Sequence, residues 1–248
     1  MEFILEIENL SHSYHNLEGE TKALSHLSFG MHKGEFISIV GPSGCGKSTL
    51  LSLISGLIKP EEGSVELHGK LMGYMLQKDH LLEWRTIYKN IILGLEIRHM
   101  VTKETRQKVQ EYLEQYGLAD FANAKPSELS GGMRQRAALI RTLILEPDLL
   151  LLDEPFSALD YQTRLTVADD IGQIIRKEKR SAILVTHDLS EAISLGDRVR
   201  VLGKRPASIK RVIPLTFDLE EDTPLHRRNA PEFKKYFNMV WKELNEDA

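Results

Sequence analysis

The sequence predicts an α/β core with a helical insertion, on three observations. The stretch GPSGCGKSTLL, residues 41–51, sets glycines, a lysine and hydroxyl residues between the apolar run FISIV and the apolar segment LSLI. Two short unbroken apolar runs, in DLLLLDEP and SAILVTHD, read as strands buried on both faces of a parallel sheet. Between the first observation and the second, from about residue 77 to residue 145, the texture is helical.

Taken in order, residues 3–7 alternate, with Phe3, Leu5 and Ile7 set against Ile4 and Glu6. GEFISIV and GSVELHGK are likewise strand-like, with turn signals at Gly34, Gly63 and Gly69. The first seventy or so residues are therefore β-rich, interrupted by the helix that follows the glycine-rich stretch. In TKETRQKVQEYLEQYGL, Val109, Leu113 and Tyr116 fall at helical spacing, with Thr102 and Thr105 as candidate caps. After Pro214 the pattern loosens, and the tail PEFKKYFNMVWKEL places Phe233, Phe237, Val240, Trp241 and Leu244 on one helical face.

Composition narrows the function classes. The 248 residues are 42% hydrophobic and 27% charged, enough to bury a full core. A formal net charge of -4 gives no basic field, which argues against nucleic acid as the main partner. The basic run at residues 176–180 reads as a solvated helix end. MEFILEIENL lacks the basic and apolar regions of a signal peptide, and no run approaches the roughly 20 apolar residues that span a bilayer. Any membrane role is therefore expected to come through a partner. The one cysteine, Cys45, forbids an internal disulfide and suits a reducing cytosol.

The spacing Gly41-x-x-x-x-Gly46-Lys47-Ser48 is that of a phosphate loop, in which glycines let successive N–H groups turn inward around a polyphosphate. Ser43, Gly44, Cys45 and Thr49 complete the candidate cradle, and the helix that opens behind it adds its positive end. Lys47 is expected to reach the β- and γ-phosphates, and the Ser48 hydroxyl to ligate Mg2+. The apolar run at residues 149–152 delivers Asp153 and Glu154 to a strand's C-terminal edge, where open α/β sheets place their ligands. Asp153 suits a role in holding Mg2+ and Glu154 one in polarising the attacking water, the alternative being an acidic cap before Pro155.

Between these two sites lies LSGGMRQRAALIRTLILEPD. LSGG, residues 129–132, followed by Arg134, Gln135 and Arg136, resembles the signature of the ATP-binding cassette proteins, the ATPase subunits of ABC transporters. Ser130, Gly131 and Gly132 ahead of a helix make physical sense as a second anion site. The resemblance implies that this site faces the γ-phosphate of ATP held by the other subunit. It also implies an N-terminal antiparallel β subdomain and an inserted helical subdomain, about residues 77–144, within an ATPase domain at residues 1–215. Residues 216–248 are left as a C-terminal helical extension.

Further roles come by the same resemblance. Tyr14 looks like the aromatic residue that stacks on adenine, the alternative being a half-buried strand tyrosine. Gln77 is similar to the glutamine that contacts Mg2+ and faces the membrane partner. SALD, residues 157–160, brings in Asp160 through the loop that couples the two sites of the dimer. His187 in VTHD resembles the switch histidine that contacts the γ-phosphate. Met133 stands where the signature usually ends in glutamine, which leaves Ser130 and the backbone donors intact.

SGGMRQR, PFSALD and LGKRPASI together resemble the importer cassettes of the nitrate, sulfonate and taurine type. In those relatives a segment like LLEWRTIYKNI often reads Leu-Leu-Pro-Trp, and Glu83 takes the proline's place here. The expectation is an ATPase subunit at the cytoplasmic face of a membrane, acting as a head-to-tail homodimer or with a closely related second ATPase. Its partners are then transmembrane permease subunits and, indirectly, a solute-binding protein. The solute stays open among nitrate, sulfonates, taurine and pyrimidine-type precursors. Rival readings are a cassette ATPase of translation or DNA repair, which typically carries two cassettes or a coiled-coil insertion, and an exporter cassette, often fused to membrane spans.

Two side chains carry sharper expectations. A helix N-terminus and Lys47 are expected to favour the Cys45 thiolate. Leu81, Leu82 and Trp84, with Arg85 beside them, either pack into the helical insertion or line a groove for a short helix of the permease.

Overall fold

The structure is a computed structural model that describes residues 2–16, 19–157 and 159–246. Strands β1 (Phe3–Asn16) and β2 (Gly19–His32) pair antiparallel, and β3 (Phe36–Val40) then runs fully buried into the glycine-rich loop and α1 (Lys47–Ile54). β4 (Glu62–Leu67) returns to the other edge of β1, completing a three-stranded antiparallel sheet ordered β2-β1-β4. The alternation expected at residues 3–7 breaks at its first step. A register shift between Phe3 and Leu5 leaves Ile4 as buried as Leu5, while Phe3 lies outside, stacked on His32. Gly63, expected in a turn, lies inside β4. Its φ is 82°, and a Cβ there would stand 2.2 Å from the Glu8 carbonyl oxygen.

β5 (Met72–Met75) leads into the helices α2 (Ile87–Ile91), α3 (Leu93–Ile97), α4 (Lys103–Gln115) and α5 (Gly131–Leu143). Thr102 and Thr105 close a reciprocal capping box at the start of α4, and Val109, Leu113 and Tyr116 are buried along one face of that helical stretch. The chain then alternates through β6 (Leu149–Asp153), α6 (Tyr161–Lys177), β7 (Ser181–Val185), α7 (Leu189–Leu195), β8 (Arg198–Leu202) and β9 (Ile209–Pro214). It ends in α8 (Pro224–Asn229) and α9 (Pro231–Asn245).

The second sheet is ordered β5-β6-β7-β3-β8-β9, parallel except for β9 at its edge. Its period of two divides the core. Leu150 and Leu152 of β6 face the cluster built by α2, α4, α5 and α6, whereas Leu149 and Leu151 face α1 and the antiparallel sheet. That is why the runs read as unbroken apolar sequence. A third cluster joins α7, β8, β9 and α9, with Val240 fully buried and Phe233, Phe237 and Leu244 packed beside it. Trp241 departs from the expected face: it is 57% exposed and stacks on Phe237. Arg176 is no freely solvated helix end either, since its guanidinium pairs with Asp197 and donates to the Leu195 carbonyl. Among the described residues no helix is long and apolar enough to cross a membrane.

Candidate functional site

The sheet order sets β5, β6, β7 and β3 side by side, and their registers end flush: Met75 lies opposite Leu152, Asp153 opposite Val185, and Ile39 opposite Val185. Gln77, Glu154, His187 and Gly41 therefore emerge in a row along one C-terminal edge. Glu154 sits at the middle of it. Its carboxylate accepts from Gln77 Nε2 at 3.2 Å on one side and stands 3.2 Å from His187 Nδ1 on the other. Its backbone has φ 47°, a left-handed conformation that costs a non-glycine residue about 1–2 kcal/mol. Neighbours hold it there: Glu154 N–H donates to the Val185 carbonyl, and its own carbonyl accepts from Ser157 N–H, the Ser157 hydroxyl and Gln135 Nε2. The twist turns the carboxylate across the strand ends, whereas Asp153, one residue earlier, stays 4% exposed inside the sheet edge.

The glycine-rich loop closes over β3. Gly46, with φ 122°, passes so near β2 that a Cβ would lie 2.9 Å from Leu24 Cδ2 and 3.0 Å from the Ala23 carbonyl oxygen. Lys47 is buried, and its ammonium donates to the Gly41 and Pro42 carbonyls at 2.8 and 2.9 Å, curled back across the loop. Ser43, Gly44 and Ser48 stay exposed around it. Burial pushes the Asp153 carboxyl up, against a hydrogen bond from Ser48 that holds it down. A desolvated carboxylate touching a hydroxyl is a hard-oxygen donor pair that a small divalent cation complements, so the residues fit Mg2+. Tyr14 stands at the same helix, its hydroxyl 3.2 Å from Thr49 Oγ1 and its half-exposed ring edge-on to His12.

Cys45 reverses its expectation. It is 2% exposed, and burial pushes its thiol above the ordinary range despite the opposing influence of Lys47. The helix end is there, but the side chain points into the core between β3 and α1 rather than at solvent.

The candidate second anion site leads α5. Ser130 caps this 13-residue helix, its hydroxyl accepting Met133 N–H, and Gly131 and Gly132 form the first turn. Met133 packs its side chain on the helical core. α5 also grips the loop that follows Gln77: Arg134 pairs with Asp79, and Arg141 donates to the Asp79 and His80 carbonyls. Gln77 and Gly131 consequently line one cleft of about 360 Å3. Asp160 caps α6 through Thr163 N–H, a bond that lowers its carboxyl's affinity for protons; Ala158 of the same loop lies outside the described residues.

The loop beyond keeps Trp84 out of the helical core. Leu81 is buried in the helical core, but Trp84 is 75% exposed. Arg85 N–H donates to the Leu82 carbonyl, closing a turn with Glu83 at an exposed position, so no proline is needed there. Fully buried Asn90 fixes this turn: its amide donates to the Leu82, Arg85 and Thr86 carbonyls and accepts Leu82 N–H. Sequence reasoning missed Asn90, whose one signal is a polar residue amid IYKNIIL. It also missed Arg205, which donates to the Gly44 carbonyl at 2.7 Å from within LGKRPASI.

Residues 24–157 match the family described as ABC transporter. An uncharacterised ABC transporter ATP-binding protein of Bacillus subtilis is 43% identical, covering 97% of this chain and 95% of its own. The nitrate import ATP-binding protein of Synechocystis is 38% identical (95% and 93%), and the aliphatic sulfonates import ATP-binding protein of Bacillus subtilis 39% (89% and 90%). Among solved structures, the dimeric post-hydrolysis form of an ATP-binding cassette bound to ADP and Pi superposes with a TM-score of 0.78. It is 31% identical and matches 86% of this chain and 99% of that one.

Proposed function

Since the chain belongs to the ABC transporter family of ATP-binding proteins, we propose that it is the ATP-hydrolysing subunit of an importer for a small solute of the nitrate, sulfonate or taurine kind. The observation that carries the reading is Glu154 held between Gln77 and His187 beside the phosphate loop. In that role Tyr14 stacks on adenine, while residues 41–49 wrap the phosphates with backbone donors and Lys47 leaves its loop carbonyls for the β- and γ-phosphates. Ser48 and Asp153 would hold Mg2+, which when bound neutralises phosphate charge; Gln77 is the third candidate ligand. Glu154 orients and deprotonates the attacking water, and His187 contacts the γ-phosphate.

A partner cassette covers the site with its own Ser130, Gly131 and Gly132, and Asp160 sits at the seam. Closure expels water, and reopening after hydrolysis is the mechanical output. The grip of α5 on residues 79 and 80 supports passing that motion to the loop bearing Trp84, which presents an aromatic anchor to a permease at the cytoplasmic membrane face. A solute-binding protein would act only through that permease. Nearly equal identity to nitrate and sulfonate relatives is what a subunit that never touches the solute should have.

The test is co-expression with a candidate permease. Purified complexes in vesicles should couple ATP hydrolysis to uptake when nitrate, an alkanesulfonate and taurine are tried in turn. Full ATPase activity with no permease bound would contradict the importer reading.

A further inference from the structure

The segment carrying His187 is braced by a buried acid that the hydrolytic reading leaves unused. Thr186 and Glu191 are 1% and 3% exposed, and the Thr186 hydroxyl donates to Glu191 Oε2 at 2.6 Å while accepting Asp188 N–H at 3.0 Å. One hydroxyl thus clamps the residues on both sides of His187. Thr186 N–H also donates to the Ile39 carbonyl, on the strand that feeds the phosphate loop. Asp188 caps α7, and its other oxygen accepts from Arg164 at 3.3 Å. Arg164, from α6, lies 3.8 Å from Glu191 Oε1 and donates to the Leu159 carbonyl, next to Asp160.

The charged groups facing Glu191 are Asp188 on its own helix, Arg164 from α6 and Arg228 from α8, the last also donating to Ser194. Burial pushes the Glu191 carboxyl up to about 7, the Thr186 bond and the two arginines pulling the other way. A neutral side chain would fold more easily here. A locally unfavourable acid beside a reacting centre is a sign of a role beyond packing.

We propose that Glu191 is a positioning residue for hydrolysis: through Thr186 it fixes where the His187 imidazole stands against Glu154, and through Arg164 it ties that position to the turn at Leu159 and Asp160. The proposal rests on the reading of His187 as the phosphate contact. Glu191→Gln keeps the shape but not the charge, Thr186→Val removes the clamp, and Thr186→Ser keeps it.

The experiment measures kcat, KM for MgATP and Tm of the full chain carrying each change, the Glu191→Gln/Thr186→Val pair, and His187→Ala. Misplacing one group at a reacting centre lowers kcat by about tenfold to a hundredfold. That fall is expected for Glu191→Gln and for Thr186→Val, with KM nearly unchanged and Thr186→Ser at the parent rate. The pair should lose less than the sum of the two single losses, because both changes act on the Thr186–Glu191 hydrogen bond.

The parent's kcat should fall as pH drops through about 7, a step absent from Glu191→Gln. Stability should move the opposite way. A carboxyl whose folded pKa is raised from 4.5 to about 7 favours the fold fully below 4.5 and loses that contribution as pH rises through 7. At pH 8 Glu191→Gln should therefore melt no lower than the parent. An unchanged kcat, additive losses in the pair, or a loss that tracks a fall in Tm would overturn the proposal. If His187→Ala is slow while Glu191→Gln is not, the proposal fails alone; if His187→Ala runs at the parent rate, the reading of His187 fails and takes the proposal with it.

Discussion

In the proposed reaction Glu154 is the residue that carries the chemistry: its backbone is left-handed at φ 47°, and its carboxylate lies between Gln77 and His187. Glu154→Gln should leave nucleotide binding intact and lower turnover by about two to four orders of magnitude, checked by phosphate release from the reconstituted complex. The Tyr14 hydroxyl reaches Thr49 and its ring lies edge-on to His12, leaving the side chain half-exposed for a base. Tyr14→Ala should weaken ATP binding by about 1–3 kcal/mol while Tyr14→Phe stays near the parent, as calorimetry would read.

Cys45 is shielded by burial, so alkylation of the native chain should be far slower than of the urea-unfolded chain. Equal rates would mean that the thiol faces solvent. The placement of Gly46, Lys47 and Glu154 was legible because it depends on spacing along the chain. The burial of Cys45 was not, since one sequence position tells nothing of which way a loop side chain turns. Asn90, Glu191 and Arg205 each work through partners far away in sequence, so no local pattern announces them.

At the scale of elements, the loop between β5 and α2 is built to hold Trp84 outward. Trp84→Ala should leave Tm and nucleotide affinity unchanged, since the ring is 75% exposed, and should weaken permease co-purification. Asn90→Ala should instead destabilise the chain by roughly 1–3 kcal/mol, because it strips partners from buried backbone groups of the turn, and calorimetric unfolding separates the two effects. The α4 cap and the two parallel strands were readable, as hydroxyl spacing and unbroken apolar runs are themselves the physical cause of those elements. The faces of β1 were not. A register shift after Phe3 in the pairing with β2 rotates the strand, and the pattern of residues 3–7 does not announce it.

At the scale of the molecule, one sheet lies between a helical layer and a β layer, and its C-terminal edge holds the nucleotide end of the site. The candidate second anion site, at Ser130, belongs to the helical layer, bonded to the loop after Gln77 through Arg134 and Arg141. Two copies arranged head to tail would bring each Ser130 to the other's phosphate loop, and ATP would be the material that joins them. The direct measurement is the mass of the Glu154→Gln chain in solution by light scattering, with and without MgATP. The account predicts the mass of one 248-residue chain without nucleotide and of two with it, the doubling abolished by Ser130→Arg. A mass that ignores ATP, or a doubling that survives Ser130→Arg, would contradict it.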